Sequence, residues 1–148
     1  MRVFGSIRIA GIAGIAALLA CSGSGATDTG DTPGTLGPGK WGGPSVGLEI
    51  TATEAKAHFD FCADGTLKVP VLLTPDGRFD VAGTYVRNIG PSVQARSARY
   101  VGLWRGSSMT LTVLLSDPIG PNDSDVVGPF DLKAGAAGPP IRPCPIVY

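Results

Sequence analysis

An all-β domain, an antiparallel meander closed as a barrel of six to eight strands, is the fold class this 148-residue sequence predicts. Three observations lead there. Apolar residues recur at every second position in run after run, which puts one face of each segment in a core and the other in water. Glycine and proline are abundant, 22 and 13 residues, which favours many turns and few long helices. No segment carries a sustained helical period, and residues 53–57 (TEAKA) have room for one short turn at most. A flat meander of this size leaves two edges unpaired. Closure into a barrel is therefore expected, with a two-layer β-sandwich as the alternative.

The first run sets Val46, Leu48 and Ile50 against Gly47, Glu49 and Thr51, and the second sets Ala57, Phe59 and Phe61 against Lys56, His58 and Asp60. A third takes Leu67, Val69, Val71 and Leu73 as its apolar set, with Leu72 breaking the polar one. Phe79 and Val81 begin a fourth, which continues through Thr84, Tyr85 and Val86. In the next, Arg99, Val101, Leu103 and Arg105 share one face, opposite Ala98, Tyr100, Gly102 and Trp104. Met109, Leu111, Val113 and Leu115 make another. A last strand spans 126–132, with Gly128-Pro129 marking an edge or a bulge. Between the runs, Asp64-Gly65 and Pro75-Asp76-Gly77 are hairpin signals, because glycine supplies the positive φ of a tight connection. Arg105-Gly106-Ser107 separates the Tyr100 and Met109 strands in the same way. Residues 117–125 (DPIGPNDSD) read as a loop. Gly83 and Gly102 fall inside strands, where they relieve crowding at a barrel bend.

The N-terminus carries a different signal. Arg2 and Arg8 form a basic head, and residues 9–19 are an uncharged apolar run too short to span a bilayer as a helix. It closes in Leu18-Leu19-Ala20-Cys21, a leucine three residues before a cysteine and a small residue directly before it. This motif resembles the lipobox of bacterial lipoproteins; an ordinary secretory signal with a chance cysteine is the competing reading. The resemblance implies cleavage before Cys21, acylation of its sulfur, and anchorage of the chain to a membrane of the cell envelope. Ser22 follows that cysteine, and the lack of Asp there implies the outer membrane where the organism has one. Residues 1–20 are then the signal peptide, 21–40 a lipidated N-terminus with a disordered Gly/Ser/Thr-rich tether, and 41–148 the barrel domain.

The remaining cysteines, Cys62 and Cys144, form an even pair in an exported chain and read as a disulfide, with two free thiols as the alternative. Gly39-Lys40-Trp41 has the Gly-x-Trp form found at the first strand of lipocalin-like and avidin-like barrels. That resemblance implies that Trp41 plugs one end of the barrel, with Arg142 as its late partner.

Charge excludes one function class. Without Arg2 and Arg8 the chain keeps ten of its 12 basic residues against 12 acidic ones, which is no electrostatic footprint for nucleic acid. The catalytic inventory is thin: one histidine, His58, with Lys56 and Asp60 on the same polar face, and no nucleophile elbow or P-loop. Asn122, Asp123, Ser124 and Asp125 offer closely spaced oxygens but lack the glycine and glutamate of an EF-hand loop. Arg87, Arg96, Arg99 and Arg105 lie in a stretch without acids, and offer either an anion site or cross-strand pairs with Asp117, Asp123, Asp125 and Asp131.

The expectation is a non-enzymatic binding or interaction module without cofactor or metal. Tyr85, Tyr100 and Trp104 would line the barrel interior or its mouth, where a small apolar ligand or an envelope protein would dock, with Arg99 and Arg105 as further candidate contacts. Alternatives are a purely structural lipoprotein with a filled barrel and, last, an enzyme using His58.

Overall fold

The computed structural model describes residues 34–89, 92–116 and 125–144. Cys21 with the expected lipobox, and Asp117, Asn122, Asp123 and Ser124, lie outside the described residues. Ten strands follow in order: β1 Thr35–Leu36, β2 Gly39–Gly42, β3 Val46–Ile50, β4 Ala55–Phe59, β5 Ala63–Leu67, β6 Val71–Leu72, β7 Arg78–Ile89, β8 Ser92–Arg105, β9 Ser108–Leu115 and β10 Val126–Ala134. Eight of them close an antiparallel barrel in sequence order, β2-β3-β4-β5-β7-β8-β9-β10, with β10 returning to β2. The barrel, and not the sandwich, is the fold. β1 and β6 form a separate two-stranded sheet.

Alternation along the strands decides what fills the barrel. Val46, Leu48, Phe59, Tyr100, Met109, Leu111, Val113 and Leu132 point inward and are almost wholly buried. Lys40, Glu49, Lys56, Arg78, Asp80, Arg99 and Thr110 point outward and are exposed. An outer membrane-type barrel has the reverse pattern, an apolar outer band on strands of about 9–11 residues. Here β3, β4 and β5 have five residues each.

Strand direction alternates, so the turns at 43–45 and 60–62 share one end of the barrel, here the upper. The turns at 51–54 and 106–107 and the excursion 68–77 share the lower end. After β10, residues 135–144 climb back across the outside of β2 and β3. Carbonyls of Ala136 and Ala137 pass over Gly42, and Gly138 lies on Gly47, where a Cβ would stand 3.1 Å from the Gly138 Cα. Cys144 ends this strap in a disulfide with Cys62 in the upper turn, Cα atoms 5.6 Å apart, within the range such a bridge requires.

Three sequence expectations shift. Asp64-Gly65 is not a turn but lies within β5, paired with His58 and Ala57. The connection is the three-residue loop 60–62, whose last position is left-handed, with Cys62 at φ 59°. As a result β4 runs from Ala55 to Phe59, and Phe61 leaves the strand and is 37% exposed. The third run also divides, because β5 ends at Leu67 and β6 is only Val71–Leu72. Finally, order begins before Trp41: residues 34–40, assigned to the tether on composition, contain β1 and the start of β2. The bulge in β10 lies between Val127 and Phe130, at Gly128-Pro129 as expected.

Candidate functional site

The barrel interior is the first place to look for a ligand, and aromatic side chains occupy it. Tyr100 is fully buried, and its hydroxyl donates to the Thr84 carbonyl at 2.7 Å. Space for this ring comes from two glycines on neighbouring strands: a Cβ at Gly65 would overlap the Tyr100 hydroxyl, and one at Gly83 would come within 2.9 Å of the ring. Phe79 is seated on Gly102 in the same way. Burial raises the Tyr100 phenol well above its ordinary value, the nearby Tyr85 adding to the shift, so the hydroxyl stays a neutral donor. Tyr85 is 4% exposed and meets Phe59 edge-on, ring centroids 5.5 Å apart. Tyr85 and Tyr100, expected to line the interior or its mouth, are packed into the core there. Trp41 is also interior, 7% exposed on β2, while Arg142 is exposed on the strap.

The arginines separate rather than gather. Arg99 makes a two-pronged pair with the Asp80 carboxylate on the outer wall. Arg96 is buried, its Nε donating to the Ser116 carbonyl at 3.3 Å and its Nη2 to Asp125 at 3.5 Å. Arg105 donates to the Asp76 carbonyl at 3.3 Å. Each of these three guanidiniums that the sequence offered to an anion thus has a protein partner. His58 pairs across the strands with Asp64, Nδ1 to Oδ1 at 2.7 Å, and Asn88 Nδ2 donates to the other Asp64 oxygen at 2.9 Å. The partner is Asp64 and not Asp60, because the 60–62 turn carries Asp60 off the strand. Among the described residues no three His, Cys, Asp or Glu side chains come together to hold a metal.

Among the described residues the grooves lie outside the barrel, one of about 390 Å³ between the strap and β2–β3 and others at the lower end. Residues 68–77 leave the barrel, pair with β1, and return to β7. Leu36 and Val71 bury the inner side of this flap at 4% and 1% exposure, and Leu73 N donates to the Gly34 carbonyl at 2.6 Å. Two of the grooves that border the flap exceed 600 Å³. One, about 650 Å³, lies against the outer face of β7, β8 and β9 and is lined by Leu72, Leu73, Val101, Leu103, Thr110 and Thr112 among others. The second, about 620 Å³, is lined by Gly34, Leu73, Pro75, Gly77, Trp104 and Arg105 among others. They share Leu73 and Thr74. Asp76 lines the second; the Thr74 hydroxyl at 2.6 Å and Arg78 Nε at 2.8 Å hold its carboxyl below the usual carboxylate range.

Of the residues expected to meet a partner, Trp104 and Arg105 line a groove, and Arg99 stands on the outer wall with Asp80. Leu72, 63% exposed, was not among them. Its signal was present, as the apolar residue that breaks the polar set of its run.

Comparison of the chain with protein-family models, with curated proteins and with solved structures returns no match.

Proposed function

We propose that this chain is a lipid-anchored lipoprotein of the cell envelope, held through Cys21, whose barrel is a non-enzymatic interaction module that works by its outer surface. The observation that carries the second half is the Tyr100 seat on Gly65 and Gly83. A barrel that spends two interior glycines on lodging a tyrosine ring is built to be filled, and a carrier needs that space for its ligand. The grooves beside the flap, with Leu72 held out toward solvent, support contact from outside. His58, engaged by Asp64 on the outer wall, gives a catalytic reading little support. The anchor rests on the lipobox resemblance, and the outer membrane on Ser22 in an organism that has one.

A filled interior also suits the second reading, a purely structural lipoprotein. Site-specific photocrosslinking in cells separates the two. With the crosslinker at Leu72 or Leu103, the interaction reading expects one defined adduct, protein or lipid, and none from the strap at Ile141. No adduct from either groove position favours the structural reading. Membrane fractionation tests the anchor: Cys21→Ser should release the chain from membranes, and persistent retention would refute lipidation.

A further inference from the structure

We infer that the lower end of the barrel, the flap with its two grooves, rests on the lipid surface to which the chain is anchored. This rests on the lipid-anchor reading and adds an orientation to it. The decisive placement is that of Gly34. The chain leading from Cys21 enters the fold there, and Gly34 is itself a wall of the groove that holds Trp104. Only the twelve residues 22–33 separate the two points. A Gly/Ser/Thr-rich chain of that length has a root-mean-square reach of about 20 Å. Such a link gives the face nearest its attachment an effective concentration at the membrane of about a millimolar, so a weak surface contact becomes populated.

The chemistry at that end suits an interface between water and hydrocarbon. Leu72 is 63% exposed, Leu73 and Leu103 are half-buried beside it, and Trp104 is half-buried at the rim of the neighbouring groove. Tryptophan favours the headgroup level, where its ring is apolar and its N–H stays wet. Charge does not drive the contact. Asp76 is held by Thr74 and Arg78 and Asp80 by Arg99, and the groove linings add only Arg105, far short of the clusters of about four to eight cations that bind anionic lipid. The occupant is therefore a lipid surface recognised by its interfacial apolarity rather than by its headgroup charge. The upper end, with the disulfide and the 60–62 turn, then faces away from the membrane.

The test uses the full lipidated chain reconstituted in phosphatidylcholine vesicles, with and without bromine on the upper acyl carbons. Trp104 fluorescence should be quenched by roughly half, with little change between low and high salt. Trp104→Phe should remove the quenchable signal and leave that of buried Trp41. Leu72→Asp, at a side chain too exposed to matter for folding, should abolish quenching while the protein still floats with the vesicles. A wild-type chain that floats unquenched overturns the orientation and leaves the anchor standing. A chain that does not float overturns the anchor and the orientation together. Quenching that appears only with anionic lipid and vanishes in salt overturns the apolar mode of contact.

Discussion

Two sides of this barrel solve the closure problem differently. The β7–β8 ladder runs through twelve paired positions, from Arg78 opposite Leu103 to Ile89 opposite Ser92. The seam where β10 meets β2 has two, Lys133 opposite Gly42 and Ala134 opposite Trp41. On the long-ladder side the glycines face inward: Gly65, Gly83 and Gly102 open space for Tyr100 and Phe79. On the short-seam side they face outward. Gly42 and Gly47 bare the backbone so that the strap can lie on the wall, and the disulfide fastens its end. One side is held by its ladder and packed from within. The other is braced from without, so a residue's effect should depend on which side it serves.

The largest effect should come from cutting the brace. The double variant Cys62→Ser, Cys144→Ser frees a strap that closes a loop of sequence separation 82. On the chain-entropy account it should lose about 4 kcal/mol in urea unfolding. A loss below about 1 kcal/mol would mean that the seam holds without its staple. Next comes Gly83→Ala, where the new methyl would meet the Thr66 carbonyl as well as the Tyr100 ring. Overpacking against backbone should cost about 3 kcal/mol by the same measurement.

Tyr100→Phe tests the interior more gently. It deletes the bond to the Thr84 carbonyl and should cost about 1 kcal/mol at neutral pH. It also carries a pH signature. The phenol is raised above its unfolded value near 10, so its contribution is fully present below about pH 10 and is lost as pH rises toward the folded value. Wild-type stability should therefore decline above pH 10, and the phenylalanine variant should decline less. The smallest effect belongs to Gly47→Ala. Its methyl comes closest to the Gly138 Cα, at 3.1 Å, on a strap that can shift by a few tenths of an ångström. The lower chain entropy of alanine offsets the crowding, and the net change should stay within about 0.5 kcal/mol. If Gly47→Ala proved as destabilising as Gly83→Ala, the distinction between the two sides would be erased.

The wall of the barrel was legible in the sequence because alternation is local: β3 and β9 follow directly from period two, and Gly106-Ser107 from turn chemistry. The 60–62 turn was misplaced for an equally local reason. Its left-handed position is held by Cys62, where a glycine would have announced it, and the nearby Asp64-Gly65 offered a false signal. Gly83 and Gly102 could be seen to lie inside strands but not what they lodge, since the rings come from neighbouring strands, Tyr100 from β8 and Phe79 from β7. The outer grooves were harder still. They exist because residues 68–77 fold out to meet β1, in a stretch read as tether from composition alone. Leu72 gave the only hint, as one leucine on the wrong face.

The central claim is that this barrel is a filled scaffold which acts from its outside. Native mass spectrometry of the chain purified from its cells tests this most directly. The account predicts the mass of the processed polypeptide with its N-terminal lipid and one disulfide, and no other stoichiometric adduct. A small molecule retained one-to-one by the folded chain, and released when Gly83→Ala crowds the Tyr100 seat, would contradict it.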